Sequence, residues 1–256
     1  MLLLGLWHDL SGVKLSAALA RVLLFRKFCR LELDQGAPHD RTLGRFRNRL
    51  GDWMKPLLDE VTRALAEARV ILAERRVAIV GATVVEATVF GAAQSRISTA
   101  DPEAGTQVKV NVKGRMQAVW GYQSFVNVDE DGFIHATAVT PGNKAGVDSL
   151  EGLMTGDEVA LCADAAYIGP RTRAVIARTG MADRVQRRSA RGHPLSEAKK
   201  ERSVEIGVAR IFGHFKRLWG LCRAPCMGLA KTKTWFTIVA LGWNLWKGAT
   251  FQRLYG

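Results

Sequence analysis

The sequence predicts a mixed α/β domain behind an N-terminal helical region, and three observations carry that expectation. The first seventy or so residues show helical spacing of apolar side chains. From Val77 the texture becomes β-branched, with strand-like runs and one strong hairpin turn. A later stretch, Ser203–Trp219, returns to helical spacing and closes an α/β pattern.

In the N-terminal part, Ser11 is a natural N-cap, and Leu15, Ala18, Leu19 and Val22 recur at helical intervals. Arg26, Lys27 and Arg30 follow, interleaved with Phe25 and Phe28. Gly36 and Pro38 break the chain. In the next helix Leu43, Phe46 and Leu50 share one face and Arg41, Arg45 and Arg49 another. Two helices joined by a Gly/Pro turn, the second rich in arginine, fit a helix-turn-helix unit; a solvated cationic face on an ordinary helical hairpin fits the same pattern.

Val77–Val80 and Val84-Val85 read as a buried strand, and Trp120–Asp129 as a second. Asp129-Glu130-Asp131-Gly132 is a hairpin turn leading into a third strand over Phe133–Thr140. A helix is expected over Ala145–Met154, a fourth strand over Asp157–Ala163 and a helix over Arg171–Thr179. Trp235–Trp246 is apolar but too short to span a bilayer, and reads as a buried terminal helix. The division expected is a helical region over residues 1–72 and a core over 73–256.

The 256 residues carry 37 Lys and Arg against 24 Asp and Glu, a formal net charge of +13. Thirteen of the basic residues, against three acids, fall between Arg184 and Lys233. Charge concentrated in this way suits a polyanionic partner, usually nucleic acid. Cys29, Cys162, Cys222 and Cys226 lack the companions a zinc site needs and are expected as reduced thiols. Met1–Leu6 has neither the basic leader nor the cleavage site of a signal peptide.

Several blocks together resemble the DDE transposases of the bacterial insertion-sequence four/five superfamily. They run from Trp7-His8-Asp9-Leu10-Ser11 and Phe25–Cys29, through Pro38–Leu50, Ala100-Asp101-Pro102-Glu103-Ala104, Gly121-Tyr122 and Thr140-Pro141-Gly142-Asn143. Thr155-Gly156-Asp157-Glu158-Val159, Ala163-Asp164-Ala165-Ala166-Tyr167, Phe212–Arg217 and Gly228–Lys231 complete the series. Each motif alone is weak; their order and spacing are specific. The resemblance implies an RNase H-like mixed sheet flanked by helices. It also implies cutting and joining of phosphodiesters by two divalent metals, Mg2+ by expectation, held by three carboxylates. Duplex DNA at the element's ends would be the partner, in the cytoplasm on the nucleoid, with a homodimer left open and neither a membrane nor a small-molecule substrate involved.

The acids match the family's pattern unevenly. Asp164 fills the second acid position and is the metal ligand the resemblance implies. The first acid's text reads Ile79-Val80-Gly81-Ala82-Thr83, which places Gly81 at the acid; a shifted register would place Glu86 there. The third acid position falls on Ala209, with Glu205 one turn upstream. Two chemistries follow: a centre reduced to Asp164, with strand cutting weak or absent, or an active centre built from Glu86, Asp164 and Glu205. A third possibility is a non-catalytic, repressor-like DNA-binding or dimerising protein. Arg41, Arg45, Arg49, Arg187, Arg188, Lys216 and Arg217 are the expected phosphate contacts. His214 is expected on a helix surface, and Trp235, Trp243 and Trp246 in core packing.

Overall fold

The computed structural model describes residues 1–71, 75–87, 101–110, 114–186 and 205–255. Five helices open the chain: α1 (Leu2–Trp7), α2 (Gly12–Arg21), α3 (Leu23–Phe28), α4 (Asp40–Arg49) and α5 (Met54–Glu67). Ser11 caps α2, accepting from the Lys14 N–H at 3.3 Å. Val22 is extended, with φ −94° and ψ 105°, and splits the first helical run into α2 and α3. Leu4, Leu15, Leu19 and Leu43 form a small core between these helices. Arg26 is not a surface cation. It is buried and donates to the carbonyls of Leu19 at 3.2 Å, Gln35 at 2.7 Å and Glu32. It thereby satisfies carbonyls of the loop that joins α3 to α4.

The sheet has six strands: β1 (Val77–Glu86), β2 (Gly105–Val110), β3 (Met116–Val128), β4 (Ile134–Pro141), β5 (Ala160–Cys162) and β6 (Ala182–Asp183). β3 is antiparallel to β1 on one side; on the other it pairs antiparallel first with β2 and then with β4. β5 runs parallel to β1, and β6 parallel to β5. The order β4–β3–β1–β5–β6, antiparallel then parallel, is that of an RNase H-like core. The remaining helices are α6 (Leu150–Leu153), α7 (Pro170–Thr179), α8 (Glu205–Leu218) and α9 (Leu229–Tyr255).

Strand alternation divides the core into two faces. Ile79 and Val85 of β1 pack with Val208, Ile211 and Phe215 of α8 and with Trp235, Phe236 and Trp243 of α9. Ala78 and Val80 face the other way, onto Leu150, Leu153, Leu161 and Val175. Leu6 of α1 and Leu58 of α5 join the first cluster, and the Trp7 indole donates to the Gly242 carbonyl at 3.1 Å. The N-terminal helices therefore share buried surface with the core across residue 72.

Several elements differ from expectation. The 145–154 helix is a 3-10 turn over Gly146–Ser149 followed by the single turn of α6. The fourth strand shrinks to Ala160–Cys162 because Asp157 and Glu158 are drawn to Arg76. The terminal helix extends to 27 residues, yet no described helix is long and apolar enough to cross a membrane.

The motif residues Asp101, Glu103, Tyr122 and Gly228 converge although they are far apart in sequence. The buried Asp101 carboxylate accepts from the Tyr122 hydroxyl at 2.6 Å and the Gly228 N–H at 3.0 Å. Glu103 accepts from the Leu229 N–H, so both acids cap the start of α9 from another part of the chain. Gly121, next to Tyr122, is obligatory on steric grounds, since a Cβ there would run into the Val85 carbonyl oxygen. Asp101→Ala leaves the phenol and an amide unpaired and is expected to cost about 2–3 kcal/mol. Chemical denaturation checks this, and an unchanged midpoint would refute the capping role.

Candidate functional site

β1 and β5 bring the first two acid positions of the DDE resemblance side by side. Val77 lies opposite Ala160 and Ile79 opposite Cys162, and these four side chains cluster on the sheet face that carries α8. Two residues further along are Gly81 on β1 and Asp164 at the exit of β5, so by alternation both address the same face. Gly81 is paired with Val126 and sits under α8: a Cβ built on it would press into Val208, with Val208 Cβ at 3.1 Å. Ala209, the third acid position, follows Val208 and is exposed. Gly81, Asp164 and α8 thus have the relative placement that three metal-binding acids would need, but only one of the three positions carries a carboxylate.

Asp164 is half-buried and caps the 3-10 turn Ala165–Tyr167, its Oδ1 accepting from the Ala166 N–H at 2.8 Å. Tyr167 is buried beneath it; burial, aided by the Asp164 charge, pushes the phenol well above its usual range. A single carboxylate does not fit a two-metal centre. Among the described residues no group of three or more His, Cys, Asp or Glu side chains could hold a metal.

Glu86 is not brought to this place. It lies five residues beyond Gly81 on β1, about 16 Å along the strand. Its backbone is clamped by segment 222–224: the Glu86 N–H donates to the Cys222 carbonyl at 3.0 Å and its carbonyl accepts from the Ala224 N–H at 2.9 Å. Its carboxylate faces Arg223 at 3.7 Å. Glu205 begins α8, one turn before Ala209; its side chain lies outside the described residues.

Arg41, Arg45 and Arg49 are all exposed on α4, as expected for a cationic face. Arg217 is exposed at the end of α8, its Nε donating to the Gly213 carbonyl at 3.3 Å, and Lys216 is half-buried beside it. Arg187 and Arg188 lie outside the described residues. His214 is not a simple surface residue. Its ring packs 5.0 Å from Trp219, 5.2 Å from Trp243 and 5.0 Å from Trp246. Burial, with help from the Arg217 charge, lowers its pKa. The imidazole is therefore expected to titrate below the usual histidine range, which NMR of the ring protons would show; titration at or above that range would contradict this packing. The sequence marked the tryptophans as core but gave no sign that a histidine would sit among them.

Residues 1–49 match the family model of a transposase domain, DUF772. The matched stretch ends with α4, so the transposase domain comprises α1 to α4 and the arginine-bearing face. The match supports a transposase family and a transposition-related function. No solved structure matches the chain.

Proposed function

We propose that this chain is a DDE-type transposition protein of the insertion-sequence four/five kind that binds the DNA ends of its element but cuts them weakly or not at all. The observation that carries this reading is the composition of the site under α8. Asp164 stands beside Gly81 and one residue from the Val208 contact stands Ala209, so two of three metal-binding carboxylates are absent where the fold has kept their places. Without converging acids, two hard cations have too few oxygen ligands to activate water and stabilise the leaving oxygen. What survives such a loss is affinity. The Arg41, Arg45 and Arg49 face and the Lys216-Arg217 pair are suited to phosphate contacts that position duplex without reading sequence.

The test is a nicking assay on supercoiled plasmid with Mg2+ or Mn2+, paired with binding to linear duplex across a salt series. The expected result is no nicking above background, with affinity falling steeply as salt rises. Robust metal-dependent nicking that Asp164→Ala abolishes would overturn the impaired-site reading. Binding that ignores salt, or no binding, would overturn the DNA reading.

A further inference from the structure

On the far edge of the sheet from Asp164, β4 is an edge strand, and His135–Thr140 line a cavity of about 960 Å3. Helices α5 and α9 and the turn before α6 form its other walls. The volume lies near the upper end of the roughly 300–1,000 Å3 typical of small-ligand sites. Two features set it apart from a packing defect. The first is unsatisfied polarity: the Ser149 hydroxyl is buried without a hydrogen-bond partner in a residue only 8% exposed, and the Thr140 hydroxyl oxygen is likewise buried and unpartnered. Both residues belong to the cavity lining. A buried hydroxyl left unpaired costs free energy, so two in one cavity point to a ligand that pairs them.

The second feature is the sign of the rim. Lys55 is paired with Asp59 at 2.6 Å, and Asp148 with Arg171. That leaves Arg49, Lys231 and Lys233 against Asp52 alone among the charged lining residues. Hydroxyl donors in the buried part and cations at the mouth are the complement of a tetrahedral oxyanion. We infer that the cavity between β4, α5 and α9 binds a phosphate group, with Ser149 and Thr140 donating to its oxygens and Lys231, Lys233 and Arg49 balancing its charge. The phosphate could belong to a free phosphate or mononucleotide, or to a phosphodiester strand; the inference stands with either and does not depend on the site at Asp164.

Thermal unfolding of the full chain in inorganic phosphate and in chloride of equal ionic strength tests it. Phosphate at ten times its dissociation constant is expected to raise the wild-type Tm by about 3–5 °C. Ser149→Ala should unfold normally in chloride, since it removes an unpaired hydroxyl, yet bind phosphate about tenfold more weakly. Lys231→Ala with Lys233→Ala should abolish the phosphate shift. Equal Tm in phosphate and chloride, or a phosphate shift that survives both variants, overturns the inference. A 12-nucleotide DNA strand then separates the sources. Strand binding weakened by Ser149→Ala assigns the phosphate to a phosphodiester. Strand binding indifferent to Ser149, beside a Ser149-dependent phosphate shift, assigns it to a free phosphate or mononucleotide. Loss of the phosphate effect with duplex binding intact would sink this cavity and leave the DNA reading standing.

Discussion

Gly81→Asp, the substitution that rewrites the first acid of the DDE pattern, is expected to destabilise the protein by about 2–4 kcal/mol instead of reviving it. The new Cβ would press into Val208, itself only 4% exposed and part of the cluster that joins α8 to the sheet. Core overpacking alone costs about 1–3 kcal/mol, and a carboxylate set against apolar neighbours adds to it. At this chain length the loss corresponds to a Tm lower by roughly 5–15 °C. Adding Val208→Ala removes the obstructing methyl groups and should recover part of the loss. Adding Ala209→Glu as well should make the remaining deficit responsive to Mn2+, because three carboxylates would then converge beneath α8. Thermal unfolding of the three variants, with and without Mn2+, reads this out. If Gly81→Asp alone is as stable as the wild type, α8 does not close over Gly81 and the proposed history of the site is wrong.

That closure could not be read from the sequence. Ile79-Val80-Gly81-Ala82-Thr83 showed that an acid was missing, but not that a valine had filled its space. Local signals worked where local physics decides. Ser11 as a cap, Gly132 in the hairpin turn with φ +81°, and the periodic helix over α8 all form where expected. Long-range partners were the opposite case. Arg26 counted as one cation among several, and only the fold shows it buried under three carbonyls. β2 carried a legible signal in the alternation of Gln107-Val108-Lys109-Val110, but it is short and lies at the sheet's margin. Glu86 and Gly81 were equally eligible for the first acid on text alone. The parallel register of β1 with β5 separates them, because it sets Gly81 level with Asp164 and leaves Glu86 well beyond it. The cavity beside β4 gave no sequence signal, since Thr140, Ser149 and Lys231 meet only through tertiary packing.

Arg76→Ala is the second large effect, expected to cost about 3–5 kcal/mol. Arg76 is 2% exposed and donates to Asp157 Oδ2 at 2.8 Å and Oδ1 at 2.6 Å, to the Thr155 hydroxyl and, at 3.4 Å, to Glu158. Glu158 is buried too and is held by the N–H groups of Thr155 and Gly156 and by Asn127 Nδ2 at 2.9 Å. Removing the guanidinium strands at least one buried carboxylate, and that uncompensated charge, more than the lost attraction, makes the penalty large. Burial opposes ionisation of both acids. For Asp157 it is outweighed by hydrogen bonds from Arg76 and Thr155; for Glu158 by those from the Thr155 backbone and hydroxyl and the Gly156 N–H, helped by the Arg76 charge. Both pKa values therefore end below their ordinary range. Because the folded values are depressed, the stability they contribute is present above the unfolded carboxylate range near pH 4 and is lost as pH falls through the folded values. The wild type should accordingly lose stability on acidification below about pH 4.5, and Arg76→Ala should show a shallower acid limb as well as a lower plateau at pH 7. Denaturation across pH 3–7 distinguishes the network from a plain packing loss: Arg76→Met keeps bulk but not charge, and if it restored the wild-type acid limb the ion pair would not be the cause.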